Sequence, residues 1–260
     1  MKRKICFILA FVVVISTVFS GCDNLISDIF SVESSTEAES HVTFPLTDYE
    51  VYEKTASFVP PFQVDDIPDF STEPYVEINN NVSFFTEDEY TTSSYEYYSD
   101  LDSLRRCGVC YACVGQDIMP TEERGPIGMV KPTGWHISKY DFVNGKYLYN
   151  RCHLLGYQLT GENANENNLI TGTRYLNITG MLPFENKIAD YVHDTNNHVM
   201  YRVTPMFVEN DLVASGLLME GYSVEDSGEG VHFCVYCYNA QPGVTIDYAT
   251  GENWSDGTLD

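Results

Sequence analysis

Tyr147-Leu148-Tyr149-Asn150-Arg151-Cys152-His153-Leu154-Leu155-Gly156-Tyr157-Gln158 is the stretch that decides how this chain folds. On a strand, residues two apart face the same way, so Arg151 and His153 project together while Cys152 points to the opposite face. A guanidinium beside an imidazole disfavours the protonated ring. A general base working near neutral pH needs that neutral form. By spacing alone, a histidine next to Leu154 and Leu155 reads more readily as structural than as catalytic.

The residues that follow shift the balance. The run from Glu162 to Asn177 is rich in asparagine, and Asn186 follows nine residues later in Met181-Leu182-Pro183-Phe184-Glu185-Asn186. Leu182, Ile188, Ala189 and Val192 recur at helical spacing, which predicts a helix over Met181 to Asp194 ended by Asn196-Asn197. Asn186, Asp190 and Asp194 then lie on one face, each four residues from the last. A strand bearing histidine and a helix bearing oxygen ligands, joined by a loop, can clamp a divalent cation beside a basic nitrogen. A hard ion such as magnesium accepts such oxygens and keeps several waters.

At these residues the chain resembles the DNA/RNA non-specific endonucleases of the ββα-metal (His-Me finger) class, and in particular bacterial surface and secreted DNases. The likeness runs from Tyr75 to Glu252 and is densest from Met119 to Ala249. The core signature of that class, Asp-Arg-Gly-His or Asn-Arg-Ser-His, stands here as Asn150-Arg151-Cys152-His153, with Cys152 as the main departure. The resemblance implies that His153 is the general base and that Asn186 is the protein ligand of Mg²⁺, with Mn²⁺ as a substitute. It implies that Asn177 steadies the metal-water shell or the substrate phosphate and that Arg151 contacts phosphate. Asp194, or else Asp190, stands where relatives add an acidic residue on the metal helix. Arg174 and Arg202 are candidate phosphate contacts, with plain surface charge as the alternative. The implied substrate is DNA, with RNA left open, cut to 5′-phosphate ends. Contacts to backbone phosphates rather than base edges leave little sequence preference.

The formal net charge of −24 argues at first against a nucleic-acid partner, since phosphate binding draws on Lys and Arg. The charge is unevenly placed. Residues 23–103 hold 19 of the 38 acidic residues and one basic residue, Lys54, whereas residues 104–174 hold eight Lys and Arg against six Asp and Glu. The one locally basic stretch therefore coincides with the motif.

The chain begins with basic Met1-Lys2-Arg3-Lys4 and an apolar run from Ile5 to Phe19, too short to span a bilayer and suited to an export signal. It ends in Val18-Phe19-Ser20-Gly21-Cys22, which resembles the lipobox of bacterial lipoproteins, so lipidation of Cys22 and attachment to the bacterial membrane are expected; an ordinary cleaved signal is the alternative. Residues 23–74, rich in Ser, Thr, Glu, Asp and Pro, read as an acidic disordered tether, and residues 75–260 as the endonuclease domain. No obligate protein partner is visible in the sequence. Strands are expected at Tyr75–Ile78, Val82–Phe85, Gly108–Val114, Lys146–Leu154, Val199–Pro205 and His232–Asn239. With the helix they give an α+β fold: an antiparallel sheet core carrying a ββα-metal motif.

Beyond Cys6 and Cys22, six cysteines remain: Cys107, Cys110, Cys113, Cys152, Cys234 and Cys237. An even number in an exported protein favours disulfides. The spacing also permits a zinc site. Two other kinds of function follow from these features: a nucleic-acid-binding protein that keeps the nuclease fold without turnover, and a cysteine-based zinc or redox module. His136, His193 and His198 read as structural. Tyr90, Tyr95, Tyr97 and Tyr98 read as a partly buried core edge.

Overall fold

Strand alternation governs which residues of this chain meet. The computed structural model describes residues 58–259. In chain order the strands are β1 (Tyr75–Glu77), β2 (Tyr95–Tyr98), β3 (Cys110–Val114), β4 (Tyr149–His153), β5 (Leu169–Thr173), β6 (Val199–Met206), β7 (Gly216–Ser223), β8 (His232–Tyr238), β9 (Val244–Ile246) and β10 (Asn253–Ser255). The α-helices are α1 (Tyr157–Thr160) and α2 (Leu182–Thr195). Six strands form one antiparallel sheet in the order β1-β8-β7-β6-β3-β2, while β4–β5 and β9–β10 are separate antiparallel pairs. The fold is α+β, as expected.

The two faces of the large sheet carry different cores. Ala112, Val114, Tyr201, Val203, Met219 and Val235 pack on one face with Ile188, Ala189 and Val192 of α2 and with Cys152 and Leu154 from the β4 region. On the other face, Met206, Leu218, Cys234, Tyr236 and Tyr238 meet Phe58, Phe62, Val64, Ile67 and Phe70. Residues 58–74 were expected to be tether. They are instead a strap packed across the sheet, and the folded unit starts well before Tyr75. The sequence masks this because the strap spaces its apolar residues among Pro and Asp and forms only a short 3-10 turn at Val64–Asp66. The earlier part of the expected tether, the export segment 1–22 and Cys22 lie outside the described residues.

The same alternation corrects the reading of the cysteines. All six described cysteines are free thiols, and all are buried. In each Cys-x-x-Cys pair on a strand the two residues are three apart and so point to opposite faces. Cys110 and Cys237 enter the core under α2, Cys113 the cluster with Met200 and Phe85, and Cys234 the cluster under the strap. Among the described residues no group of His, Cys, Asp and Glu could hold a metal, so the zinc module is also excluded there.

Other expectations hold in part. α2 ends where foreseen: Asn196 adopts the left-handed region with φ 59° and its N–H bonds Val192 O. Asn79, Asn80 and Asn81 all take positive φ and turn the chain. Val82–Phe85 forms no strand, because the Phe84 N–H donates to Glu220 Oε1 at 2.7 Å. Tyr90 stacks on Tyr222 at 4.5 Å and Tyr97 packs against Tyr111 at 4.9 Å, as a core edge does.

Candidate active site

β4 and β5 form a hairpin in which Arg151 faces Thr171 and His153 faces Leu169. Two buried amides lock this hairpin in place. Asn239 accepts from Thr173 N and donates to Thr171 and Ala214 carbonyls, tying β5 to the large sheet. Asn168 holds both backbone groups of Leu155, just beyond His153. After β5 the chain makes a π-helical turn over Leu176–Met181, with the Leu182 N–H reaching back to Asn177 O, and then enters α2. Such one-turn bulges concentrate at functional sites.

His153 is buried, with 6% of its surface exposed. Nε2 donates to Asn163 O at 2.7 Å, which leaves the lone pair on Nδ1. Arg124 Nη2 donates to that nitrogen at 3.1 Å. Burial, helped by the Arg124 charge, pushes the imidazole down to about 4, and the bond to the Asn163 carbonyl only partly opposes this. The ring is therefore neutral through the physiological range. The cation at the ring is Arg124 and not Arg151. Although Arg151 shares the strand face, its guanidinium donates to Val130 O and to Gly128 O (2.9 Å) and lies 4.1 Å from the Trp135 ring. Both side chains thus reach the loop 124–130, as alternation requires.

Cys152, the departure from the signature, turns the other way. Its thiol bonds Asn177 Oδ1 at 3.2 Å and touches Met181 Sδ. Gly172 makes the room: a Cβ there would lie 2.6 Å from Cys152 Cβ. Asn177 also donates to Asn150 Oδ1 at 3.3 Å, and Arg174 donates to Asn150 and Asn144 side chains at 3.2 Å each. Arg124, Arg151, Arg174, Asn150 and Asn177 together line a cleft of about 430 Å³. None of the three arginines pairs with a carboxylate among the described residues.

Asn186 is exposed on the first turns of α2, its Oδ1 accepting from Gln158 Nε2 at 3.0 Å, so it stands beside the helix that directly follows β4. Asp194 is not brought to it. Eight residues at 1.5 Å rise put the exposed Asp194 carboxylate ~12 Å further along the axis, too far for one ion to bind both directly. Asp190 is exposed as well. Arg202 belongs elsewhere altogether. It is 1% exposed on the strap-side face, bonded to Glu220 at 2.7 and 2.9 Å and to Glu89 at 3.2 Å, between Phe58 and Phe85. It cannot meet phosphate from there.

Sequence reasoning missed Arg124, the Asn163 carbonyl and Glu185. The first two leave no sequence signal, because their contacts with His153 are tertiary. Glu185 does leave one: with Ile188, Ala189 and Val192 it occupies the buried stripe of α2. Its carboxyl lies against Gly156, where a Cβ would be 2.7 Å from Oε1, and burial raises its pKa to about 8.

A profile of the DNA/RNA non-specific endonuclease domain matches residues 86–225, more than half of the chain. The chain belongs to that family. Among solved structures, this endonuclease is similar to NucA from Streptococcus agalactiae with bound magnesium, at 27% identity and a TM-score of 0.64, over 75% of this chain and 92% of NucA. The metal-free form of NucA superposes to the same extent, with a TM-score of 0.63. Sda1 nuclease with bound zinc matches at 25% identity and a TM-score of 0.53, over 62% of this chain and 81% of Sda1. The protein is an endonuclease of the phosphodiester-hydrolysing class, and the reading as a non-catalytic binding protein gives way to it.

Proposed function

We propose that this endonuclease is exported and lipid-anchored through Cys22, and that it hydrolyses DNA with magnesium, leaving 5′-phosphate ends. The carrying observation is the pairing of a neutral His153, its Nδ1 lone pair fixed by the Asn163 carbonyl, with three arginines that lack carboxylate partners among the described residues of a chain of net charge −24. Unpaired cations in an acidic protein are sites for an anion. RNA fits the same backbone contacts.

In this reading Arg124, Arg151 and Arg174 draw the substrate backbone into the cleft. As Arg124 engages phosphate it leaves His153 Nδ1, which then accepts a proton from the attacking water. Asn177 orients the phosphate from the hairpin side. The residues present fit a hard, hydrated cation: Asn186 offers a neutral amide oxygen at the surface, and no thiolate or carboxylate cluster competes among the described residues. Magnesium held by Asn186 would supply positive charge opposite the oxygens on which negative charge develops. Asp194 could reach that ion only through water.

Supercoiled plasmid incubated with the chain and Mg²⁺ is expected to be nicked, linearised and then fragmented, with ends that accept a new 5′ label only after phosphatase treatment. EDTA is expected to stop the reaction, and Asn186→Ala to lose most of it at every magnesium concentration. A chain that cuts nothing, or cuts equally well in EDTA, overturns the proposal. For the anchor, Cys22→Ser is expected to move the protein from the membrane fraction to the medium; unchanged membrane retention refutes lipidation.

A further inference from the structure

The cleft lined by Arg124, Arg151 and Arg174 also carries side chains that phosphate binding does not require. Trp135, Ile137 and Tyr147 line it together with the arginines. Ile137 is 77% exposed and Tyr147 is 49% exposed, so neither is there to fill the protein's own core. Cations already sit on two of these rings, Arg151 over Trp135 at 4.1 Å and Lys139 over Tyr147 at 4.5 Å. In the same cleft the Arg174 Nε is buried and has no hydrogen-bond partner, while its terminal nitrogens are held by Asn144 and Asn150. One cleft thus offers cationic groups, aromatic rings and an aliphatic surface. Its volume of about 430 Å³ falls in the range of small-molecule sites.

Resting on the nuclease reading, we infer that this cleft is a subsite for one unstacked nucleotide next to the scissile phosphate. Arg174 and Arg151 take the phosphate, and the base packs on Tyr147, Ile137 and Trp135. A base inside an intact duplex cannot reach these side chains without leaving its stack, which costs a few kcal/mol, least where the strand is already single. The subsite therefore favours single-stranded or locally unpaired nucleic acid over intact duplex. Every base has a π-face, so the subsite adds preference for strandedness and not for sequence.

The test compares two labelled single-stranded oligonucleotides of equal length in Mg²⁺, one of thymidylates and one whose internal residues are abasic. Stacking of one base predicts a preference of about tenfold to a hundredfold in kcat/KM for the first. In Tyr147→Ala combined with Ile137→Ala, both at exposed positions, that ratio is expected to collapse towards one. Equal cleavage of both substrates by the native chain overturns the inference, as does a variant that retains the full ratio. A binding measurement separates this from failure of the nuclease reading. The chain has two tryptophans, Trp135 and Trp254, so in Trp254→Phe all tryptophan fluorescence comes from the cleft. Thymidine 5′-phosphate is expected to quench it at concentrations where deoxyribose 5-phosphate does not. If plasmid and oligonucleotides stay uncut, the nuclease reading fails and this quench alone decides the subsite; equal response to both ligands overturns it.

Discussion

His153→Ala is expected to lower plasmid cleavage by roughly 10²- to 10⁴-fold, the range of a lost general base, while the fold survives. The reason is chemical rather than structural: the ring contributes one bond to Asn163 O and one from Arg124, and the hairpin is held independently by Asn239 and Asn168. The pH profile gives a sharper readout. A base must be unprotonated to act, so activity falls as pH falls through its pKa. With that pKa pushed down to about 4 by burial and by Arg124, the acid limb of kcat/KM belongs nearer pH 4 than the 6.5 of a free histidine. Arg124→Gln removes one of the two lowering causes and is expected to move the limb upward, whatever it does to the maximum. The linkage to stability has the matching sign. The unfolded chain takes up this proton near pH 6.5 and the folded chain does not until near pH 4, so folding weakens as pH drops through that window. A histidine variant that cuts at the native rate removes His153 from the mechanism.

Arg202→Leu is expected to destabilise the fold by about 3–5 kcal/mol, the cost of removing one partner from a buried ion pair. Glu220, 0% exposed, would be left without its cation, and the rings of Phe58 and Phe85 would lose the guanidinium between them. For a domain of this size the melting temperature falls by roughly 10 °C. Thermal unfolding measures the loss, and activity per folded molecule below the transition is expected to persist. An unchanged melting temperature together with a raised KM would return Arg202 to the substrate.

Why Arg202 deceived is a matter of range. His153 lies in a strand whose alternation, flanking aromatics and four-residue signature all act locally, and the helix bearing Asn186 announces itself through Ile188, Ala189 and Val192. β6 was equally legible as a strand, but which of its faces meets the hairpin is set by pairing with β3 and β7, and that pairing puts Arg202 opposite Glu220 on the far side. β7 escaped notice because both its faces are covered, so it shows no alternation, and Gly216 and Gly221 look like turns. β5, Leu169-Ile170-Thr171-Gly172-Thr173, was hidden the same way by the glycine that Cys152 requires. Four-residue spacing grouped Asp194 with Asn186 but said nothing of the distance between them along the axis. Arg124 depends on a loop with no regular structure, so only tertiary geometry could bring it to the imidazole.

The strap makes a short stretch of chain vulnerable out of proportion to its size. Phe58 lies 3.6 Å from the buried Arg202 guanidinium, and Phe62, Val64, Ile67 and Phe70 continue the cover. A protease that cleaves within residues 58–70 strips the cover from a buried ion pair, so a single nick there is expected to inactivate the enzyme without touching the hairpin that carries His153.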